Sequence, residues 1–293
     1  MIAQRDVTIG RRISGFMLLP KPGIVALVIL SGFAGFYMGS RGALQARTAL
    51  WTLLGLGLAT AGSAIFNNYA DKDIDSIMRR TRERSVPSGA VPAYFAYVAG
   101  TLAITLALSL LNGMVGLFVA ALTGAAIFIY VVLYTLFLKR TTPFATHIGG
   151  VAGAMPPLIG YAAANGRLDA RAFSLFLLIV AWQQPHFWSL ALKYRGEYAQ
   201  AGVPVLPVAK GVEATKKRIL LYVLLHFPVL YLPYYFGMAG TFYLAVSMAM
   251  TLAYLALTVR FVFSEAGREM TVFHFSNFYL IIVFGIMMLD ARG

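Results

Sequence analysis

The chain contains no cysteine. That excludes a disulfide framework, a thiolate nucleophile and a cysteine metal site. Charge is also scarce, acidic charge most of all. Only 12% of the 293 residues are charged, with 11 Asp and Glu against 24 Lys and Arg. Soluble domains carry about 25% charged residues. No low-complexity segment and no polar stretch long enough for a soluble domain interrupts the sequence. The N-terminal stretch MIAQRDVTIGRRISGFMLLPKP has no early apolar core followed by a small-residue cleavage site, so no cleavable signal peptide is expected. Its basic, weakly amphipathic pattern suits a short helix lying along a membrane surface. What the chain has in abundance is apolar surface, 59% of its residues. It reads as an all-α integral membrane protein, one domain over 1–293 with 1–22 as a cytoplasmic N-terminal segment.

About twenty apolar residues cross a bilayer. Nine such spans are predicted, near 23–39, 49–68, 91–111, 114–137, 147–164, 172–192, 218–236, 240–261 and 271–289. Lys and Arg orient them. Only Arg41, Arg47, Arg167, Arg171 and Arg292 of the 24 fall on one side, and the rest, including Arg5, Arg11, Arg12 and Lys21, fall on the other. This asymmetry predicts the N-terminus inside and the C-terminus outside. It also accounts for the net charge of +13 without nucleic acid as a partner.

The most informative stretch is NNYADKDID, Asn67 to Asp75, at the inner end of the second span. An Asp at the centre of a membrane helix costs about 2.5–3.5 kcal/mol, so acids at such an end mark either a function or an exit into water. Asn67, Asp71 and Asp75 lie at i, i+4 and i+8, with Asn68 beside them. If the helix continues they share one face, and Asp73 points elsewhere as a surface acid. Stacked carboxylates repel unless a cation lies between them, and carboxylate and amide oxygens suit Mg²⁺. The basic run that follows, Arg79, Arg80, Arg82 and Arg84, makes the pair of charge types a candidate diphosphate site.

Two further stretches carry polar residues. In WQQPHFWSLALKYRGEYAQAGVPVLPV, Pro185 is expected to start or kink a helix. From there His186, Lys193 and Glu197 fall on one helical face, with Ser189 between them and Arg195 two residues off it. That stripe predicts a polar wall for an inner-side cavity, although Lys193 and Arg195 also satisfy the inside-positive pattern by snorkelling. The third stretch holds Lys139 and Arg140, then His147, then glycines and the Pro156-Pro157 pair expected to shape or break a helix.

Asn67-Asn68-x-x-Asp71-x-x-x-Asp75 resembles the first metal–diphosphate motif of the UbiA-type intramembrane prenyltransferases. Lys21-Pro22, NNYADKDIDSIMRRTRER, LKRTT, GGVAGAMPPLIGY, the PHFWSLALKYR…EYAQAGVPVLPV block and FHFSNFYL extend the resemblance over nearly the whole chain. The PHFWSLALKYR block is the specific one, and points to the protoheme IX farnesyltransferase branch. The resemblance implies nine helices around a cavity open to the membrane. It implies transfer of farnesyl from farnesyl diphosphate to the 2-vinyl group of heme b, with water completing heme O and diphosphate leaving. On this sequence Asn67, Asp71 and Asp75 would hold Mg²⁺, with Asn68 assisting. Arg82, Arg84, Lys139, Arg140, Lys193 and Arg195 would meet the diphosphate, Lys193 as part of the catalytic set. His186, then His147, would contact heme. Other branches carry a second pair of aspartates where this chain has Lys193, Arg195 and Glu197, so Glu197 is the remaining acid for a metal there. Gly23 replaces an arginine frequent in the family. The branch implies a bacterial cytoplasmic membrane with the site facing the cytoplasm, and heme O handed to a heme A synthase or a terminal oxidase. Two other classes fit the acidic cluster alone: a prenyltransferase for an aromatic or lipid acceptor, and a cation-coupled transporter.

Overall fold

The structure, a computed structural model, describes residues 9–264 and 267–292. Residues 1–8, with Arg5 of the basic segment, and the side chain of Arg11 lie outside the described residues. Among the described residues the chain is helical, with one isolated antiparallel bridge between Ala239 and Ala291. Nine long helices match the nine expected spans: α2 (Pro22–Ser40), α3 (Ala46–Ala70), α5 (Ala93–Met114), α6 (Leu117–Ile127), α7 (Ala145–Asn165), α8 (Ala170–Lys193), α11 (Val212–Tyr235), α12 (Thr241–Val262) and α13 (Glu269–Leu289). Helix α6 runs on as a π-helix, Phe128–Phe137, and a short turn, Leu138–Arg140. Four shorter helices complete the chain: α1 (Ile9–Leu18), α4 (Lys72–Ile77), α9 (Arg195–Gln200) and α10 (Leu206–Ala209).

Eight of the long segments are apolar and long enough to cross a membrane. The ninth, α7, is the glycine- and proline-containing helix, and its middle is buried inside the bundle from Ala154 to Ala162. Pro156 and Pro157 lie within a continuous helix rather than breaking it. The small residues serve approach instead. A Cβ on Gly35 of α2 would collide with the Pro157 carbonyl, and one on Gly160 with the Gly32 carbonyl, so α2 and α7 pack backbone to backbone. Large side chains elsewhere on the outer helices, such as Leu102, Leu106 and Leu252, remain exposed, as a lipid-facing surface requires.

Two apolar cores fill the bundle. One, with Trp188, Tyr254, Tyr279 and Phe284, joins α8 to α11, α12 and α13. The other, with Leu56, Leu111, Met155 and Ile159, joins α3 to α5, α6 and α7. A third, smaller cluster lies at the end where the acidic motif emerges. Ile74 and Met78 of the α3–α5 connection pack against Ala191 of α8 and against Tyr198, Val203 and Val205 of the α8–α11 connection. These two connections therefore form a cap over that end of the bundle. Helix α1 joins it, with Gly15 accepting the Ser85 hydroxyl at 2.7 Å, while Ile9, Ile13 and Met17 stay exposed.

Candidate active site

The acidic motif straddles the end of α3. Helix α3 stops at Asp71 and α4 restarts one residue later, yet the i→i−4 bonds continue from Asp71 N to Asn67 O at 2.9 Å and from Asp75 N to Asp71 O at 2.8 Å. The expected register of Asn67, Asp71 and Asp75 is thus kept through a small break, and all three are buried. Asp73 points outward, 59% of its side chain exposed, and pairs with Arg140 at 2.5 Å. Arg140 hydrogen bonds hold the Asp73 carboxyl at about 2, below the ordinary carboxylate range.

Each buried member of the motif faces a cation. Lys139 Nζ donates to Asp71 Oδ2 at 2.5 Å, and Asn67 Nδ2 donates to the same oxygen at 2.6 Å. Arg84 Nη1 donates to both Asp75 oxygens, at 3.0 and 2.9 Å. Lys21 Nζ donates to Asn67 Oδ1 at 2.6 Å. Lys21 adopts a left-handed backbone, φ 54°, immediately before Pro22 starts α2. A non-glycine residue rarely accepts that conformation, and such strain concentrates at functional positions.

Lys21, Asn67, Asp75, Arg80, Arg84 and Lys139 line a polar chamber of about 330 Å³. It meets two apolar cavities at Ile24 and Tyr130. One, of about 190 Å³, runs between α2, α3, α6 and α7 past Val28, Leu56, Ala126 and Ile159. The other, of about 330 Å³, runs between α2, α7 and α8 past Ser31, Gly150, Trp182, Gln183 and His186. The π-helical turns place both Tyr130 and Tyr134 on the chamber wall and end beside Lys139. Such turns are rare and occur frequently at functional sites.

The donor set suits a hard divalent ion, although among the described residues no three acidic or histidine side chains converge on one point. Asp71 Oδ1 is buried and has no hydrogen-bond partner, a free acceptor in a place where an unsatisfied oxygen is costly. With Asp75 and the Asn67 amide oxygen it offers part of a coordination shell. Mg²⁺ commonly fills the remainder with substrate phosphate and water.

The other expected site residues are placed as follows. His186 lies between the chamber and the second cavity, stacked on Trp182 at 4.7 Å and Phe273 at 4.4 Å, with Nδ1 bonded to Ser276 Oγ at 2.7 Å. The stripe expected from His186 to Glu197 is broken. Pro185 lies inside α8, which ends at Tyr194 (φ −105°, ψ 22°), and α9 starts afresh. Lys193, the last residue of α8, and Arg195, the first of α9, are both exposed and line no part of the chamber. Glu197 turns to the α3–α5 connection, where Oε2 accepts the Arg80 N–H at 2.9 Å. Asn68 faces away from the chamber, its amide bonded to the carbonyls of Leu19 at 3.0 Å and Ala64 at 2.9 Å. Arg82 is exposed beside Glu83. His147 packs on Trp188 and Tyr222, outside the chamber wall. The sequence offered Arg80 only as one of the basic run beside the candidate diphosphate site, and gave Lys21 no contact there. Their signal was present only as charge, one within a basic run and one before Pro22.

Residues 28–282 match the model of the UbiA prenyltransferase family. A protoheme IX farnesyltransferase from Aquifex aeolicus is 49% identical over 278 residues, covering 95% of each chain. One from Marinobacter nauticus is 38% identical, covering 94% of this chain and 91% of its own. Among solved structures, a digeranylgeranylglyceryl phosphate synthase superposes with a TM-score of 0.77 at 17% identity, over 95% of this chain and 98% of that one. A UbiA homologue from Archaeoglobus fulgidus, solved with DMAPP and Mg²⁺, gives 0.62 at 17% identity, over 92% and 97%. At that identity the structural likeness carries the fold, and the sequence relatives carry the family. The chain belongs to the UbiA prenyltransferase family, in the branch formed by the protoheme IX farnesyltransferases.

Proposed function

We infer that this chain transfers a farnesyl group from farnesyl diphosphate to the 2-vinyl group of heme b, and that water completes the product, heme O. Identity of 49% with a protoheme IX farnesyltransferase over 95% of both chains is the observation that carries this reading. The chamber supports it chemically, because one polar space rich in cations opens onto two adjoining apolar cavities.

In this reading the diphosphate occupies the chamber, where Arg84, Lys139 and Lys21 neutralise its charge. The farnesyl chain lies in the cavity lined by Val28, Leu56 and Ile159, and the heme edge in the cavity lined by Trp182 and His186. The allylic C–O bond breaks and its electron pair leaves with diphosphate. The vinyl π electrons form the new bond to the farnesyl C1, which leaves a cation on the carbon next to the porphyrin. Water adds there and loses a proton. No protein nucleophile is required. Asn67, Asp71 and Asp75 would hold Mg²⁺, which when bound supplies charge stabilisation to the departing diphosphate.

The excess of Lys and Arg at the capped end of the bundle supports an N-terminus inside, a C-terminus outside and a site facing the cytoplasm of a bacterial membrane. A heme A synthase or a terminal oxidase then receives the heme O. The test is release of inorganic diphosphate from farnesyl diphosphate by the purified chain. Release that requires both heme b and Mg²⁺ is expected. Equal release without heme, or release that follows an aromatic acid in its place, overturns the heme reading.

A further inference from the structure

Glu197 is the acid that motif position assigns to a metal, yet its carboxylate is engaged elsewhere. Oε2 accepts the backbone N–H of Arg80 at 2.9 Å. Two aromatic residues of the same connection hold the Arg80 side chain. Its guanidinium lies over the Tyr194 ring, 5.1 Å from the centroid, and Nη2 reaches the Tyr198 hydroxyl at 3.4 Å. Tyr198 is itself fixed in the small apolar cluster with Ile74 and Met78. Three residues of the α8–α11 connection thus clamp one arginine of the α3–α5 connection, and that arginine lines the chamber.

The charge already present there argues in the same direction. Lys21, Arg80, Arg84 and Lys139 line the chamber, against the carboxylates of Asp71 and Asp75. Asp71 and Asp75 each hold an ion pair, and the Asn67 amide oxygen accepts from Lys21. One divalent ion and a diphosphate bring the balance near neutrality. A second ion would enter a space with fixed cations in excess and, among the described residues, with no further acid on its lining, because Glu197 faces the Arg80 amide.

We infer that Glu197 is a positioning residue for Arg80, that Arg80 binds the diphosphate, and that the chamber takes one divalent ion per diphosphate. The inference rests on the prenyl diphosphate reading above. Diphosphate binding reports on that reading, and the ion count and the Glu197 variants report on this one.

The experiment uses the full chain in detergent, Mn²⁺ as the ion and a farnesyl thiolodiphosphate that does not ionise. Bound Mn²⁺ is counted by electron paramagnetic resonance, and analogue affinity is measured in parallel. Wild type is expected to hold one ion. Glu197→Gln is expected to keep that ion and near-native analogue affinity, because its amide oxygen still accepts the Arg80 N–H. Glu197→Ala and Arg80→Ala are expected to keep the ion and to weaken the analogue about tenfold or more. Arg80→Lys guards against loss of folding: it retains a charge without the fork and is expected to bind more weakly than wild type. Two ions in wild type, loss of an ion in Glu197→Gln, or native analogue affinity in the Arg80 variants would overturn the inference. Failure of wild type to bind the analogue at all strikes the prenyl diphosphate reading instead.

Discussion

Asp71 sits at the chamber end of α3, fully buried, where an ionised carboxylate persists only with partners. Lys139 and Asn67 supply them on one oxygen and leave the other free. Lys21 shows the same economy with backbone strain added. Replacing Lys21 with Gly relaxes the left-handed φ of 54° while deleting the cation that reaches Asn67. The expected outcome is stability within about 1 kcal/mol of wild type, with KM for farnesyl diphosphate raised about tenfold or more. Thermal unfolding in detergent and initial rates check the two halves separately. Asp73 carries a pH dependence. Its carboxyl titrates at about 2 because Arg140 stabilises the charged form, so its folded value lies below its unfolded one. The stability it contributes is present above the ordinary carboxylate range and is lost as pH falls toward about 2. Because the pair is exposed, the contribution stays below about 1 kcal/mol. Asp73→Asn should lower Tm slightly at pH 7, and the difference from wild type should close as acid is added. At this scale the acids were legible because carboxylates interrupt an apolar run. The clamp on Arg80 was not, because its partners Glu197 and Tyr198 stand 117 and 118 residues away.

Helices α2 and α7 make the closest approach that bears on the site, since α2 carries Lys21 at its start and α7 walls the second cavity. Gly35 meets the Pro157 backbone directly, with no flexible side chain able to yield. Gly35→Leu is therefore expected to cost about 1–3 kcal/mol or more by overpacking, read as a fall in Tm and in monodisperse yield. Gly113→Ala, within α5 and facing open space, is the control and should be neutral or slightly stabilising. The nine helices were legible from apolar length alone. Helix α7 was the harder case, since Pro156 and Pro157 suggested a break that the structure does not contain. The stripe from His186 to Glu197 failed for a local reason. Its register assumed one helix as far as Glu197, and the chain turns at Tyr194 before α9 begins, while Lys193, still within α8, faces outward. The π-helical turns after Ile127 have no hydrophobic period that would announce them.

For the whole molecule, the absence of cysteine becomes a tool. Single cysteines at exposed loop positions report sidedness against an empty background. Thr141→Cys, in the loop after Arg140, is expected to react with a membrane-impermeant maleimide from the cytoplasmic side, and Gln45→Cys from the opposite side. The reverse pattern would invert the topology inferred from the charge asymmetry. The central claim concerns the reaction, and one mass measurement tests it most directly. Purified wild type and Asp71→Asn are given heme b, farnesyl diphosphate and Mg²⁺, and the extracted pigment is weighed by mass spectrometry. The account predicts a heme heavier by one farnesyl group and one hydroxyl group in wild type. In Asp71→Asn it predicts a product reduced about 100-fold or more. Unmodified heme from a folded wild-type sample, or equal product from both proteins, would contradict it.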